Sequence, residues 1–171
     1  MSRSNLRGRS VAPFLTLVAC AALFVWGTSR ALPSVVASHF SASGEANGFM
    51  PSEFYMWFML GIVVVVPLVM FILPNQIFSN PNARINLPNG EYWLAPERRP
   101  ETIEFLSRQT ARFASMLLVF LCYAHWLVVR ANATVPPSLS SLWFVGGLVV
   151  FLLAVLVWLV SLVGHFLNVP H

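Results

Sequence analysis

The stretch FYMWFMLGIVVVVPLVMFILP, residues 54–74, contains no charged side chain. About 20 apolar residues in an α-helix cross the hydrocarbon core of a bilayer, so this stretch has a spanning length. Pro67 lies inside it and removes one backbone donor, a defect that favours a kink and that neighbouring helices tolerate in a membrane bundle. Pro74 marks the expected exit from the membrane. We therefore predict a membrane-spanning helix over residues 54–74.

Three further apolar stretches have a comparable length, at residues 11–27, 111–130 and 141–163. The 171-residue chain is 57% hydrophobic and only 9% charged, with a mean hydropathy of +0.73. Soluble domains carry roughly 25% charged residues, so this composition indicates a protein embedded in lipid. The predicted fold is all-α: a polytopic membrane protein with a single four-transmembrane-helix bundle over residues 1–171. An outer loop is expected at residues 28–53 and an inner loop at residues 75–110.

The apolar stretch nearest the N-terminus, residues 11–27, also resembles a secretory signal. Leu17-Val18-Ala19-Cys20 has the shape of a lipoprotein cleavage site and follows a basic segment. The apolar run nevertheless continues from Ala21 to Trp26, where a mature lipoprotein would turn polar. We therefore expect a retained transmembrane helix rather than a cleaved signal.

The arginines are distributed unequally between the two sides of the predicted bundle. One side carries Arg3, Arg7, Arg9, Arg84, Arg98, Arg99, Arg108 and Arg112, and the other carries only Arg30 and Arg130. Basic residues stay on the cytoplasmic side of a membrane, so both termini are expected there. The span ends on the side with only two arginines, the outer side, carry a belt of aromatic residues, as is typical of a membrane interface. They are Trp26, Tyr55, Trp57, Tyr123, Trp126 and Trp143.

The charged residues and cysteines argue against several functional classes. The net charge of +4 comes from arginines beside apolar spans, so no nucleic-acid partner is expected. Cys20 and Cys122 lie inside apolar stretches and form no disulfide or zinc pattern. No catalytic or phosphate-binding motif occurs, and no span carries an acid. The sequence favours a protein that binds over an enzyme, and it predicts no cofactor.

Two histidines are the candidates for a ligand site. His39 lies in the outer loop and His125 near the outer end of the third span, so the two could share a metal or a polar ligand. The alternative function is therefore a metal- or small-ligand-binding membrane enzyme or carrier that uses these two histidines at the outer face. The structural alternatives are a loop side chain for His39 and a helix-packing side chain for His125. Sequence alone leaves both pairs of interpretations open.

The end of the inner loop has the pattern of a helix start. Pro100 suits the first turn, Glu101 suits the positive end of the helix dipole, and Glu104 with Arg108 forms an i,i+4 pair. We expect this helix to run unbroken into the third span and to project one or two turns beyond the membrane.

Two motifs resemble a known family. The segment LPSVVASHF, residues 32–40, with GEANG, residues 44–48, resembles the pattern LP-x-x-[IV]-x-x-H-[FW]-…-G-x-x-[DN]-G. That pattern belongs to a bacterial membrane domain of unknown function shared with the N-terminal part of SdpI-type immunity proteins. The segment INLPNGEYWLAPERR, residues 85–99, is similar to a block in standalone members of that family. The outer-loop residues matched are Pro33, His39, Gly44 and Gly48, which we expect to shape the loop.

The resemblance implies a small multi-pass protein of the bacterial cytoplasmic membrane. SdpI-type proteins protect against a secreted toxic peptide and help to hold a repressor at the membrane, so the resemblance allows an immunity or signalling role. An accessory subunit of a larger membrane complex is the other expected form, bound to other subunits or to itself. The expected partner or lipid contacts in the inner loop are Tyr92, Trp93, Glu97, Arg98 and Arg99.

Overall fold

The computed structural model describes residues 4–80 and 83–169, with side chains from residue 11 onward. Arg3 and the side chains of Arg7 and Arg9, which the predicted orientation uses, lie outside the described residues. The helices and strands in chain order are α1 (Ser4–Ser29), β1 (Val35–Phe40), β2 (Ala46–Pro51), α2 (Ser52–Ser79), α3 (Gly90–Trp93), α4 (Arg99–Ala131) and α5 (Ser141–Leu167).

Four of these helices are long and apolar enough to cross a membrane: α1 from Val11, α2, α4 and α5. The predicted all-α, polytopic bundle is therefore confirmed. Each helix covers one predicted apolar stretch and continues beyond it. Which side of a membrane the two ends of the chain occupy stays a prediction.

Three of the long helices share one apolar core. Helices α1, α2 and α4 contact one another pairwise, and α5 packs mainly against α4. The core side chains recur on α1 at helical spacing and meet smaller groups of residues on α2 and α4. They are Phe14, Val18, Ala21, Val25, Val63, Ala114 and Leu118. The bundle is thus a compact three-helix unit with α5 added at the side of α4.

Helix α2 does not end at Pro74, where the sequence predicted its exit; it continues to Ser79. Side chains support the backbone at this point. The Asn75 side chain donates to the Phe71 carbonyl oxygen and to Thr110 of α4, and the Ser107 hydroxyl donates to Asn75. These bonds hold the last turns of α2 against α4 in spite of the proline.

Helix α4 confirms the helix predicted at the end of the inner loop. It begins at Arg99 with Pro100 in its first turn and runs unbroken to Ala131. The ion pair between Glu104 and Arg108 is present. Helix α4 begins well before the apolar stretch at residues 111–130, and the projection of its first turns beyond the membrane stays a prediction.

The outer loop contains a β-hairpin that the sequence analysis did not predict. Strands β1 and β2 pair antiparallel from Val35 with Pro51 to Phe40 with Ala46, and register shifts surround His39. Ser52 N–H donates to the Ser34 carbonyl oxygen at the base of the hairpin. The hairpin connects α1 to α2 and covers one end of the bundle.

Candidate functional site

A buried polar cluster joins the three core helices beneath the hairpin. His125 of α4 is fully buried. Its Nε2 lies 2.8 Å from the Thr28 hydroxyl of α1, and its Nδ1 lies 3.0 Å from the Tyr55 hydroxyl of α2. The Phe24 ring contacts His125 edge-on, and the Tyr55 ring stacks on it. One imidazole therefore connects all three helices of the core.

The hydrogen bonds of Thr28 determine which imidazole nitrogen carries the proton. The Thr28 hydroxyl donates to the Phe24 carbonyl oxygen over 2.7 Å, so it can only accept from His125. Nε2 must then be the donor. Nδ1 accepts the Tyr55 hydroxyl hydrogen. The neutral Nε2–H tautomer satisfies every polar atom of the cluster, as burial in a membrane bundle requires.

A second polar contact fastens the hairpin to the end of α4. Asn132 follows the last residue of α4, and its Oδ1 accepts the Ala37 N–H over 2.8 Å. Its Nδ2 donates to the Ala37 carbonyl oxygen over 2.9 Å and to Val128 over 2.9 Å. One amide side chain thus pairs with β1 as a neighbouring strand would. This contact positions the hairpin above His125.

The two glycines of the outer-loop motif occupy positions that a side chain could not enter. Gly44 has φ +89°, and a Cβ there would lie 2.0 Å from the Leu139 carbonyl oxygen. A Cβ at Gly48 would lie 2.9 Å from the Cβ of His39. Leu139 N–H also donates to the Gly44 carbonyl oxygen. Both glycines thus permit close packing of the hairpin. Gly44 packs against the α4–α5 loop, and Gly48 packs against His39 of strand β1.

Pro33 and His39, the other two residues of that motif, lie at the start of the hairpin and on β1. Pro33 is exposed in the turn between α1 and β1, where its ring prevents α1 from continuing. His39 is exposed, and its Nδ1 lies 3.2 Å from the Ser38 hydroxyl. The His39 side chain lies over Gly48, so position 48 has no room for a side chain.

The structure does not bring His39 and His125 into contact. Both nitrogens of His125 already have hydrogen-bond partners, so a metal would have to displace Thr28 or Tyr55. Within residues 4–80 and 83–169 no three His, Cys, Asp or Glu side chains group closely enough to hold a metal ion. A shared metal site for these two histidines stays a prediction.

The inner-loop block closes the far end of α5. The Trp93 Nε1–H donates to the Phe166 carbonyl oxygen over 3.0 Å. Asn89 donates to the same oxygen over 3.0 Å and to Leu167 over 3.2 Å. The last carbonyls of a helix have no partner within the helix. The block supplies those partners, and Asn89 tolerates the left-handed conformation (φ 52°) that it adopts there.

Of the inner-loop residues expected to contact a partner or lipid, Trp93 makes contacts within the chain, and an outside contact for it stays a prediction. It is half-buried beside His165 and Phe166, and its carbonyl oxygen accepts the Thr102 hydroxyl. Glu97 and Arg98 are exposed. Tyr92 and Arg99 are half-buried: the Tyr92 ring lies beneath the exposed Arg98 guanidinium, and Arg99 donates to the Asn80 carbonyl oxygen. Trp93 keeps part of its surface exposed, so Tyr92, Trp93, Glu97 and Arg98 remain available to a partner or a lipid.

An apolar groove of about 710 Å³ lies between α4 and α5. The Tyr123 ring occupies the space beside Gly147, and its hydroxyl donates to the Trp143 carbonyl oxygen over 2.6 Å. This contact fixes one end of the groove. Its lining residues are Ser115, Met116, Val119, Phe120, Tyr123, Trp143, Gly146, Gly147, Val150, Phe151 and Ala154.

Sequence reasoning missed the residues that complete these sites. Asn132 carried a usable signal, because an asparagine directly after a helix often bonds to backbone. Thr28 and Tyr55 carried none, because they lie far from His125 in sequence. His165 likewise gave no indication that it would stack on Phe105 of α4.

In the described residues, four helices long and apolar enough to cross a membrane, with a hairpin at one end, define the class of this chain as a multi-pass membrane protein. Residues 15–71 match the family model of a domain of unknown function (DUF1648). This match covers most of α1, the hairpin and most of α2, and so includes the outer-loop motif with both glycines. The inner-loop block lies outside it. No curated protein and no solved structure matches the chain.

Proposed function

We propose that this chain is a non-enzymatic membrane protein that binds another membrane protein, as the accessory subunit of a larger complex. The groove between α4 and α5 supports this proposal most directly. Helix α5 is the most peripheral of the four spans, since none of the residues in its most apolar part is buried. We infer that a partner protein covers α5 in the assembled complex, which accounts for its exposed position here.

The proposed occupant of the groove is a transmembrane helix of the partner. Transmembrane helices associate where small residues let backbones approach closely. Gly146 lines the groove and has no heavy atom within 4 Å of the place a Cβ would take. Ala154 lies two turns further along the same groove. These small residues leave α5 accessible at its backbone, which suits a helix better than disordered acyl chains.

An SdpI-like immunity or signalling role is a version of the same proposal with a different partner. Its support is the resemblance of the outer-loop motif, together with the match of residues 15–71 to a domain of unknown function. The hairpin would then meet a peptide on the outer side. The groove favours the subunit version, because it opens within the spanning part of the helices.

For location we propose the bacterial cytoplasmic membrane, with both termini in the cytoplasm. The excess of arginines on one side supports this orientation. The two arginines of the opposite side each stack on a tryptophan: Arg30 over Trp26 and Arg130 over Trp126, at 3.8 and 5.5 Å from the ring centres. Such pairs suit the headgroup layer, where both members keep contact with water.

Filling the groove at Gly146 tests the subunit proposal. A photo-crosslinking side chain is placed at Val150, an exposed groove residue, and the adducts are identified by mass. We expect one discrete protein adduct, which falls by roughly tenfold in Gly146→Leu because the added side chain occupies the contact. Leucine is a better helix former than glycine by up to about 1 kcal/mol, so the variant should fold.

Gly61→Leu is the matched control, since Gly61 is an exposed α2 glycine that also has open space around it. It should leave the adduct unchanged. Adducts with lipid alone, a yield that Gly146→Leu does not alter, or an adduct with a second copy of this chain would each overturn the accessory-subunit proposal.

A further inference from the structure

A small cavity of about 200 Å³ lies where the inner-loop block, α4 and α5 meet. The inner-loop block contributes Trp93 and Arg98, and α5 contributes His165. The first turns of α4 contribute Glu101, Thr102, Phe105 and Arg108. Pockets for drug-sized molecules are usually larger than about 300 Å³, so this cavity suits a small polar group.

Two opposite charges in the cavity lining have no ion-pair partner in the part of the chain that the structure describes. Arg98 stacks on Tyr92, and Glu101 begins the α4 face that lines the cavity. The third charge, Arg108, is already paired with Glu104. The cavity therefore presents one free cation and one free anion. Both side chains are exposed, so they are reachable by a ligand.

Aromatic rings form the rest of the cavity wall. The His165 ring stacks on Phe105 with centroids 3.9 Å apart, and Trp93 lies 4.9 Å from His165. The Trp93 indole donates to the Phe166 carbonyl oxygen, and the Thr102 hydroxyl donates to the Trp93 carbonyl oxygen. These two hydrogen bonds hold the Trp93 side of the cavity in place without a ligand. A rigid, preformed site loses less entropy when a ligand binds.

The ends of the apolar stretches in α4 and α5 put the cavity at the depth expected for lipid headgroups. At 1.5 Å per helical residue, Arg108 lies about 5 Å and Phe105 about 9 Å before residue 111, where the apolar stretch of α4 begins. His165 lies in the last turn of α5. Headgroups occupy the several ångströms on either side of the hydrocarbon core. A lipid of the adjacent leaflet can therefore reach the cavity with its headgroup.

We propose that this cavity binds the phosphoethanolamine headgroup of a zwitterionic phospholipid. The Arg98 guanidinium donates to the phosphate oxygens, and the Glu101 carboxylate accepts from the primary ammonium. The ring of Trp93 borders the ammonium and adds cation–π attraction. An anionic headgroup without an ammonium would leave Glu101 unpaired beside a phosphate. The proposal is independent of the groove between α4 and α5.

Native mass spectrometry of the whole purified chain tests this proposal with three lipids of identical acyl chains. The lipids carry phosphoethanolamine, phosphocholine or phosphoglycerol headgroups, and the measurement is the fraction of protein that retains one lipid. We expect the phosphoethanolamine lipid to bind roughly tenfold more tightly than either other lipid, because only its primary ammonium offers Glu101 a positively charged N–H donor. Choline has no N–H group, and the glycerol hydroxyls are neutral donors.

Two variants separate the roles of the charges. Arg98→Gln should weaken phosphoethanolamine binding by roughly tenfold, and Glu101→Gln should abolish the preference over phosphoglycerol. The matched controls are Arg112→Gln and Glu91→Gln, two exposed residues that do not line the cavity, and neither should change retention.

Three results would overturn the headgroup assignment. They are equal retention of all three lipids, a preference for phosphoglycerol, and a phosphoethanolamine preference that persists in Glu101→Gln. Soluble glycerophosphoethanolamine is the last arm of the test. If it competes as strongly as the lipid, the site takes a free phosphate ester and the lipid assignment is wrong.

Discussion

Replacing His125 by alanine is expected to lower the free energy of unfolding by roughly 3 kcal/mol. The imidazole is fully buried and contacts all three core helices, so its removal leaves a cavity at their junction. It also removes the acceptor of the Tyr55 hydroxyl. The unfolding free energy in mixed detergent micelles measures this effect. His39→Ala is the control, because an exposed histidine should change the stability by less than about 0.5 kcal/mol.

The hydrogen bond to Tyr55 can be separated from the packing of the His125 ring. Tyr55→Phe alone should cost about 1 kcal/mol, because Nδ1 of His125 then lacks its donor. The same change in the His125→Ala background should cost nearly nothing, since no acceptor remains. If the two substitutions prove additive, the two side chains do not interact and the proposed cluster is wrong.

Gly44→Ala is expected to lower the unfolding free energy by roughly 3 kcal/mol and to separate the hairpin from the α4–α5 loop. The backbone there has φ +89°, and the new Cβ would lie 2.0 Å from the Leu139 carbonyl oxygen. Left-handed strain and an overpacked contact each cost about 1–3 kcal/mol. Hydrogen exchange at the Leu139 amide, which donates to Gly44, reports the separation directly.

Gly27→Ala provides the control for this substitution, because nothing lies within 4 Å of a Cβ at that helical position. It should leave hydrogen exchange at Leu139 unchanged. Unchanged protection of Leu139 in Gly44→Ala would show that the hairpin does not depend on that glycine.

The four spans could be predicted because the bilayer imposes one length on every crossing helix. Residues 54–74 meet that length without a charged side chain, and so does the stretch that becomes α5. The hairpin could not be predicted in the same way. Its strands are six residues each, β2 contains Gly48 and ends at Pro51, and neither alternates clearly between apolar and polar residues. Contacts with Asn132 and Leu139, both distant in sequence, hold it in place.

In the candidate sites, too, some residues could be identified from the sequence, whereas their partners could not. His125 stood out from the sequence because a polar residue inside a span needs partners. Which partners it has depends on how α1 and α2 rotate against α4, and no local pattern encodes that rotation. Trp93 is the instructive case. Its place among exposed charges suggested an external contact, whereas its indole satisfies the end of a helix more than 70 residues away. A tryptophan near an interface can make both kinds of contact, and only tertiary packing shows the internal one.

Cysteine labelling tests the central claim most directly: that the chain crosses the membrane four times, with the hairpin outside and the inner-loop block inside. Cys20 and Cys122 are replaced by serine, and a single cysteine is introduced as Ser43→Cys in the hairpin or Glu91→Cys in the inner-loop block, both exposed positions. With a membrane-impermeant maleimide, intact cells should label Ser43→Cys fully, and Glu91→Cys should label only after permeabilisation. Labelling of Glu91→Cys in intact cells would contradict the arrangement.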